Sequence, residues 1–230
     1  MNIILTGSTG FIGSEVLRQC LADPKIIPVT VLSRRSLQTA HAKLNVLIIK
    51  DFPKLEEEEG VVEALSKADG CIWAMGTTAA EPVLEIEYPM AFADAALRTF
   101  AQHERSDAEN KRFRYVHLSG KYAERDQEKS LWFLSEGRKF KGLAETKLLH
   151  VAEQSGKKWE TYIARPDLVL SRTSFLAQLA SKVLGSQQIW VQDLAAAMID
   201  VVVSGSQELI MENKVLSKKG IEVNGGRGRD

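Results

Sequence analysis

The feature that most constrains this chain comes at its start. A short apolar run, Asn2–Leu5, passes directly into Thr6-Gly7-Ser8-Thr9-Gly10-Phe11-Ile12-Gly13, and Val16, Leu17, Cys20 and Leu21 then recur at helical spacing. A strand that enters a helix through glycines so spaced has one well-known use. Gly7 suits a tight turn, Gly10 lets the backbone approach a ligand closely, and Gly13 lets the helix pack against the strand. The first amides of the helix lack partners and carry its positive dipole end, a setting made for a pyrophosphate. Gly7, Ser8, Thr9, Gly10, Phe11, Ile12 and Gly13 therefore read as a dinucleotide-binding loop. The alternative is a glycine turn kept only for packing.

The rest of the chain continues the pattern. Val29–Leu32 and Val46–Ile49 are β-branched strands without polar alternation, as suits a parallel sheet covered on both faces. A helix ending near Lys67, a strand Cys71–Met75 and a helix Pro89–Gln102 follow. After the polar connection His103–Arg114 come a strand Tyr115–Leu118, a charged connection Gly120–Arg138, a helix Lys139–Gln154 and a strand Thr161–Ala164, cut off at Pro166. This alternation predicts an α/β fold, a doubly wound parallel sheet of Rossmann type. The segment 166–216 is expected to form a small C-terminal cap over the carboxyl ends of the strands. Residues 1–223 are expected to form one domain, with 224–230 a disordered tail.

The end of the second strand bears on the choice of cofactor. An acidic residue there would bind the ribose 2′-hydroxyl of NAD, but the chain has Ser33, Arg34 and Arg35, a set suited to the 2′-phosphate of NADP. NADP is expected over NAD. Asp51 and Phe52, after the third strand, are candidates to flank the adenine, and Ala74, Met75 and Gly76 are expected beside the cofactor.

Composition narrows the functional classes. The chain has 230 residues, with 30 lysines and arginines against 30 aspartates and glutamates, so it lacks the basic excess that nucleic-acid binding draws on. Cys20 and Cys71 sit in apolar segments without metal-ligand spacing, which points to a reduced compartment. The start shows no signal-peptide pattern, and the apolar run Leu194–Val203 is too short to span a bilayer, so no membrane partner and a cytoplasmic location are expected.

These motifs together resemble the extended and atypical branch of the short-chain dehydrogenase/reductase superfamily. The resemblance is carried by Thr6-Gly7-x-x-Gly10-x-x-Gly13, Ser119, Arg165-Pro166 and Val191-x-Asp193-x-Ala195-x-Ala197-Met198. Gly76-Thr77-Thr78, Lys141-Gly142 and Glu212-Asn213-Lys214 are further similar to the Tat-interacting-protein-like oxidoreductases. The resemblance implies a Ser, Tyr, Lys constellation, with Tyr-x-x-x-Lys on one helix, that acts on a carbonyl or alcohol. It also implies a homodimer as the candidate assembly. Ser119 and Lys141 match the serine and the lysine, the latter also a ligand of the cofactor ribose. Gly137 stands four residues before Lys141, and none of Tyr88, Tyr115, Tyr122 and Tyr162 is followed by a lysine at that spacing.

Three accounts of the missing phenol follow. Tyr122 could act as a substitute acid, or be a surface tyrosine. His117, two residues before Ser119 on the strand, could titrate near neutrality, or be a core histidine. Alternatively, the site binds its cofactor without hydride transfer, as a non-redox isomerase or cyclase or as an NADP-sensing regulatory protein. Trp132, Phe133, Phe140, Phe175 and Trp190 offer apolar walls for a small, largely apolar substrate, and Thr77 and Thr78 could touch the nicotinamide side.

Overall fold

The computed structural model describes residues 1–77, 79–103, 112–156, 158–185 and 187–227. Thr78, most of the polar connection after His103, and residues 228–230 of the expected tail lie outside the described residues. Seven parallel strands form the central sheet: β1 (Ile3–Thr6), β2 (Val29–Ser33), β3 (Leu44–Ile48), β4 (Gly70–Trp73), β5 (Phe113–Leu118), β6 (Trp159–Arg165) and β9 (Ile210–Glu212). Their spatial order is β3-β2-β1-β4-β5-β6-β9. The order reverses between β1 and β4, and a doubly wound sheet opens its ligand crevice at such a switch point, outside the carboxyl ends of the strands.

Two apolar layers cover this sheet. On one face, α1 (Phe11–Ala22) and α6 (Val191–Ser204) bury Val16, Leu17, Leu194, Met198 and Val202 against alternate residues of the strands. On the other, α2 (Val61–Lys67), α3 (Tyr88–Gln102) and α4 (Ser135–Gln154) bury Leu65, Phe92 and Leu148. Aromatic rings fill the second layer: Phe92 lies against Trp73, Tyr115 and Trp159, with centroids 5.6, 5.8 and 6.4 Å away. Burial of both faces explains why β1 and β4 read as unbroken apolar runs rather than as alternating ones.

The C-terminal part differs from the expected cap. Only β7 (Leu168–Leu170), α5 (Phe175–Leu184) and β8 (Gln188–Trp190) form a separate unit, a two-stranded parallel sheet with its connecting helix. By contrast, α6 belongs to the layer that covers the main sheet, and β9 joins β6 as its edge strand. The final helix, α7 (Asn213–Arg227), extends past the expected start of the tail. Asn224 is held there, its side-chain amide donating to Asp193 Oδ1 at 2.7 Å. Close packing of α7 on α6 explains the difference: a Cβ on Gly220 would come within 2.0 Å of the Asp193 carbonyl oxygen, so only glycine allows this approach. A weakly amphipathic, glycine-rich segment gives little sign of that packing.

Candidate functional site

The glycine loop takes the shape its spacing suggested. Gly7 has φ +71°, and a Cβ there would lie 2.3 Å from the Ala74 carbonyl oxygen, so the turn and the contact with the end of β4 both require glycine. The amide of Gly10 donates to the Gly7 carbonyl at 2.9 Å, and Gly10 then serves as the N-cap of α1. At Gly13 a Cβ would meet the Gly7 carbonyl oxygen at 2.1 Å. The loop and the first turn of the helix are thus pressed together.

A crevice of about 480 Å³ lies over this loop. Gly7, Ser8, Thr9 and Gly10 form its floor; Ser33, Arg34 and Arg35 its β2 side; Phe52, Ala74, Met75 and Gly76 the rest. Arg35 Nη2 donates to Thr9 Oγ1 at 3.1 Å, which places a guanidinium over the loop. The Ser33 hydroxyl donates to the Arg35 carbonyl at 2.7 Å and so fixes the turn that carries both arginines. Phe52 stacks on Tyr88 with centroids 4.9 Å apart, forming a flat apolar side wall.

Five expected cofactor residues, Phe11, Ile12, Gly13, Asp51 and Lys141, lie outside this lining. Asp51 is exposed, its amide donates to Glu58 Oε1 at 2.8 Å, and it stands at the start of the 3-10 turn Phe52–Glu57. Phe11 is solvent-exposed and Ile12 packs against the core. The floor of the crevice has one further feature. The Ser8 hydroxyl, on a residue of the crevice floor, is buried and has no hydrogen-bond partner among the described residues, and neither has the buried Thr6 hydroxyl two residues before it. Buried hydroxyls are seldom left so.

Gly76 ends the crevice, and beyond it Lys141 and Thr77 line a second cavity of about 770 Å³. Lys141 projects from α4, and its Nζ lies 3.6 Å from where a Gly76 Cβ would be. Its ammonium donates to Glu85 Oε1 at 2.7 Å, and the Thr77 amide donates to the same oxygen at 2.9 Å. Glu85 is 2% exposed and comes from a π-turn, Val83–Glu87, that leads into α3. Lys141 therefore stands where the two cavities meet, held there by a buried carboxylate.

Sequence reasoning missed Glu85. A π-turn breaks the 3.6-residue period, and the available signal was a carboxylate set among Val83, Leu84 and Ile86. Glu145 was missed as well, one helical turn after Lys141 on α4 and fully buried. The Ser119 hydroxyl donates to Glu145 Oε1 at 2.5 Å, and Glu145 in turn pairs with Arg165, whose Nε lies 2.9 Å from the same oxygen. That pairing raises the Arg165 pKa above its ordinary value. Ser119, expected to face a substrate, does not line the larger cavity. It could reach a carbonyl only by giving up Glu145.

Tyr122 does line this cavity, as a half-exposed ring set edge-on to Phe133 with centroids 5.6 Å apart. His117 is a core residue. Burial, with the positive charge of Lys141 as a smaller cause, lowers its pKa from 6.5 to about 3. Its Nδ1 lies 3.4 Å from the Tyr115 hydroxyl, and at neutral pH the ring is uncharged. Among the aromatic residues expected as walls, Phe140, Phe175 and Trp190 do not line the cavity, and Trp132 and Phe133 lie beside it next to Tyr122.

No metal-binding group of histidine, cysteine or acidic residues occurs among the described residues, and no helix there is long and apolar enough to cross a membrane. No protein-family model matches the chain. Among curated proteins, it is 32% identical over 127 residues to the Leucinostatins biosynthesis cluster protein T of Purpureocillium lilacinum, covering 52% of this chain and 42% of that protein. It is 26% identical over 209 residues to the Protein fmp52, mitochondrial, of Emericella nidulans, covering 84% of this chain and 82% of that one. The chain thus spans less than half the length of the first relative.

Solved structures give broader matches. A dTDP-glucose 4,6-dehydratase from Bacillus anthracis, in complex with NAD, matches with TM-score 0.65 at 13% identity, covering 98% of this chain and 81% of that one. Gre2 from Candida albicans, in complex with NADPH, matches with TM-score 0.64 at 17% identity over 92% and 77%. Strand order and these likenesses agree on one architecture: the chain has the doubly wound Rossmann-type α/β fold of these solved structures.

Proposed function

We propose that this chain is an NADP(H)-dependent oxidoreductase of the atypical short-chain dehydrogenase/reductase kind, acting on a largely apolar carbonyl or alcohol. The observation that carries the reading is the adjacency of the two cavities at Gly76 and Thr77, with the Arg34–Arg35 pair on the smaller one and Lys141 on the larger. When bound, the nicotinamide supplies or accepts a hydride.

The residues divide the remaining work. Backbone amides at the start of α1 and the Ser8 hydroxyl bind the pyrophosphate, and Arg34 and Arg35 bind a 2′-phosphate. Glu85 holds the Lys141 ammonium at the nicotinamide end, where it binds the ribose and polarises a substrate oxygen. Tyr122, on the cavity wall, is the candidate proton donor to that oxygen. The apolar walls around it exclude water.

Calorimetry with NADPH and NADH, followed by a panel of carbonyl compounds monitored through nicotinamide absorbance, tests the reading. NADPH should bind at least tenfold more tightly than NADH, and turnover should be lost in Lys141→Ala. No heat with either cofactor would end the proposal. Gly137, standing where the superfamily tyrosine is expected, favours a second reading, a non-redox isomerase or cyclase. Product formed without net change in nicotinamide absorbance would decide for it, whereas cofactor binding without any turnover would point to an NADP-sensing regulator. Cytoplasmic residence and a homodimer belong to the same proposal, and cell fractionation and light scattering test them.

A further inference from the structure

The larger cavity is bigger than a small carbonyl compound needs, and one of its residues is strained. Leu134 has φ 45° and ψ 35°, a left-handed conformation. It is also the N-cap of α4, makes no capping bond with its side chain, and is 71% exposed. Leucine is a poor choice there on each count, since glycine avoids the steric cost of positive φ and serves better as an N-cap. Its isobutyl group lies on the cavity wall, facing the same space as Leu168, which is 52% exposed.

Both lysines on this space are already paired. Lys121 pairs with Asp167 at 2.7 Å and Lys141 with Glu85 at 2.7 Å. Arg138, near Glu136 in the chain, donates from Nε to the Tyr122 carbonyl at 2.8 Å and lays its guanidinium over the Phe133 ring at 4.6 Å. A diphosphate or carboxylate entering here would meet lysines already paired and the carboxylates of Asp167 and Glu136 on the same wall, whereas an apolar chain leaves the pairs intact.

We infer that the cavity binds an extended, uncharged aliphatic chain with its carbonyl end at Lys141 and its tail passing over Leu134 and Leu168. This rests on the proposed function for the placing of the carbonyl; the tail site stands on the cavity itself.

The test uses the intact chain and a series of 2-alkanones from 2-butanone to 2-dodecanone, titrated by calorimetry with and without NADP⁺. Affinity should rise about three- to fourfold per methylene until the chain reaches solvent. Leu134→Gly separates a ligand-binding from a structural role. Relief of positive φ should raise Tm by about 2–4 °C, while affinity for 2-dodecanone falls about tenfold and that for 2-butanone is unchanged. Leu168→Asp should abolish the chain-length dependence. A flat series, decanoate binding as tightly as 2-decanone, or Leu134→Gly leaving 2-dodecanone affinity intact would overturn the inference. If NADPH gives no heat yet the series without cofactor keeps its slope, the cofactor reading fails and the tail site stands. If NADPH binds and the series is flat, the tail site alone falls.

Discussion

Replacing Glu85 isolates the contact that joins the two cavities. Its carboxylate is 2% exposed and accepts from Lys141 Nζ at 2.7 Å and from the Thr77 amide at 2.9 Å. Glu85→Leu would leave an ammonium without its counter-charge and a backbone amide without its acceptor. Breaking a fully buried pair from one side costs about 3–5 kcal/mol. The Lys141 side chain is 22% exposed and keeps part of its hydration, so the expected cost is lower, about 2–3 kcal/mol. For a chain of this size that corresponds to a fall in Tm of roughly 5–10 °C.

Glu85→Gln keeps an acceptor for Thr77 and removes only the charge, so it should lose about half as much. The double variant Glu85→Leu with Lys141→Met removes both charges together and should regain most of the loss, because an apolar pair of similar volume avoids the desolvation penalty. Urea unfolding of the four proteins in the cycle gives the coupling directly. A value above about 1.5 kcal/mol is expected. Strictly additive single variants would refute the reasoning, since they would mean that Lys141 is held at Gly76 by something other than this carboxylate.

Three further outcomes follow from the geometry. Arg34→Ala should weaken NADPH about tenfold and leave NADH unchanged, the loss of one charge-assisted bond partly shared with solvent; equal weakening of both would remove the 2′-phosphate role. Gly13→Ala places a Cβ 2.1 Å from the Gly7 carbonyl oxygen, so it should destabilise the fold by about 1–3 kcal/mol and abolish cofactor heat in calorimetry. His117 has a native pKa of about 3 against 6.5 for the ordinary residue, so between these values the unfolded chain binds more protons than the folded one. Stability contributed by the neutral ring is therefore whole above pH 6.5 and lost on acidification, at up to about 1.4 kcal/mol per pH unit. His117→Phe should flatten that slope in urea titrations, and an unchanged slope would show that another group titrates there.

The fold was legible because its signals are local. The glycine spacing, the apolar strand runs and the helical stripes each depend on neighbours along the chain, and they located β1, α1, β2 and the crevice residues from Gly7 to Gly10, Ser33 to Arg35 and Ala74 to Gly76. The same kind of reasoning did not show that α7 runs on past Asn224, because packing of α7 on α6 is a contact between distant segments.

Sequence by itself determined that a strand must turn sharply into a helix at Gly7–Gly13, because steric limits on φ and on close backbone approach act over a few residues and admit only glycine. Tertiary structure alone decided which charges meet. Glu85 reaches Lys141 across 56 positions and Glu145 reaches Ser119 across 26, pairings fixed by how a π-turn and α4 lie against the sheet. Desolvation is a property of that packed arrangement, and so the neutral state of His117 and the paired lysines of the larger cavity have no counterpart in the order of residues along the chain.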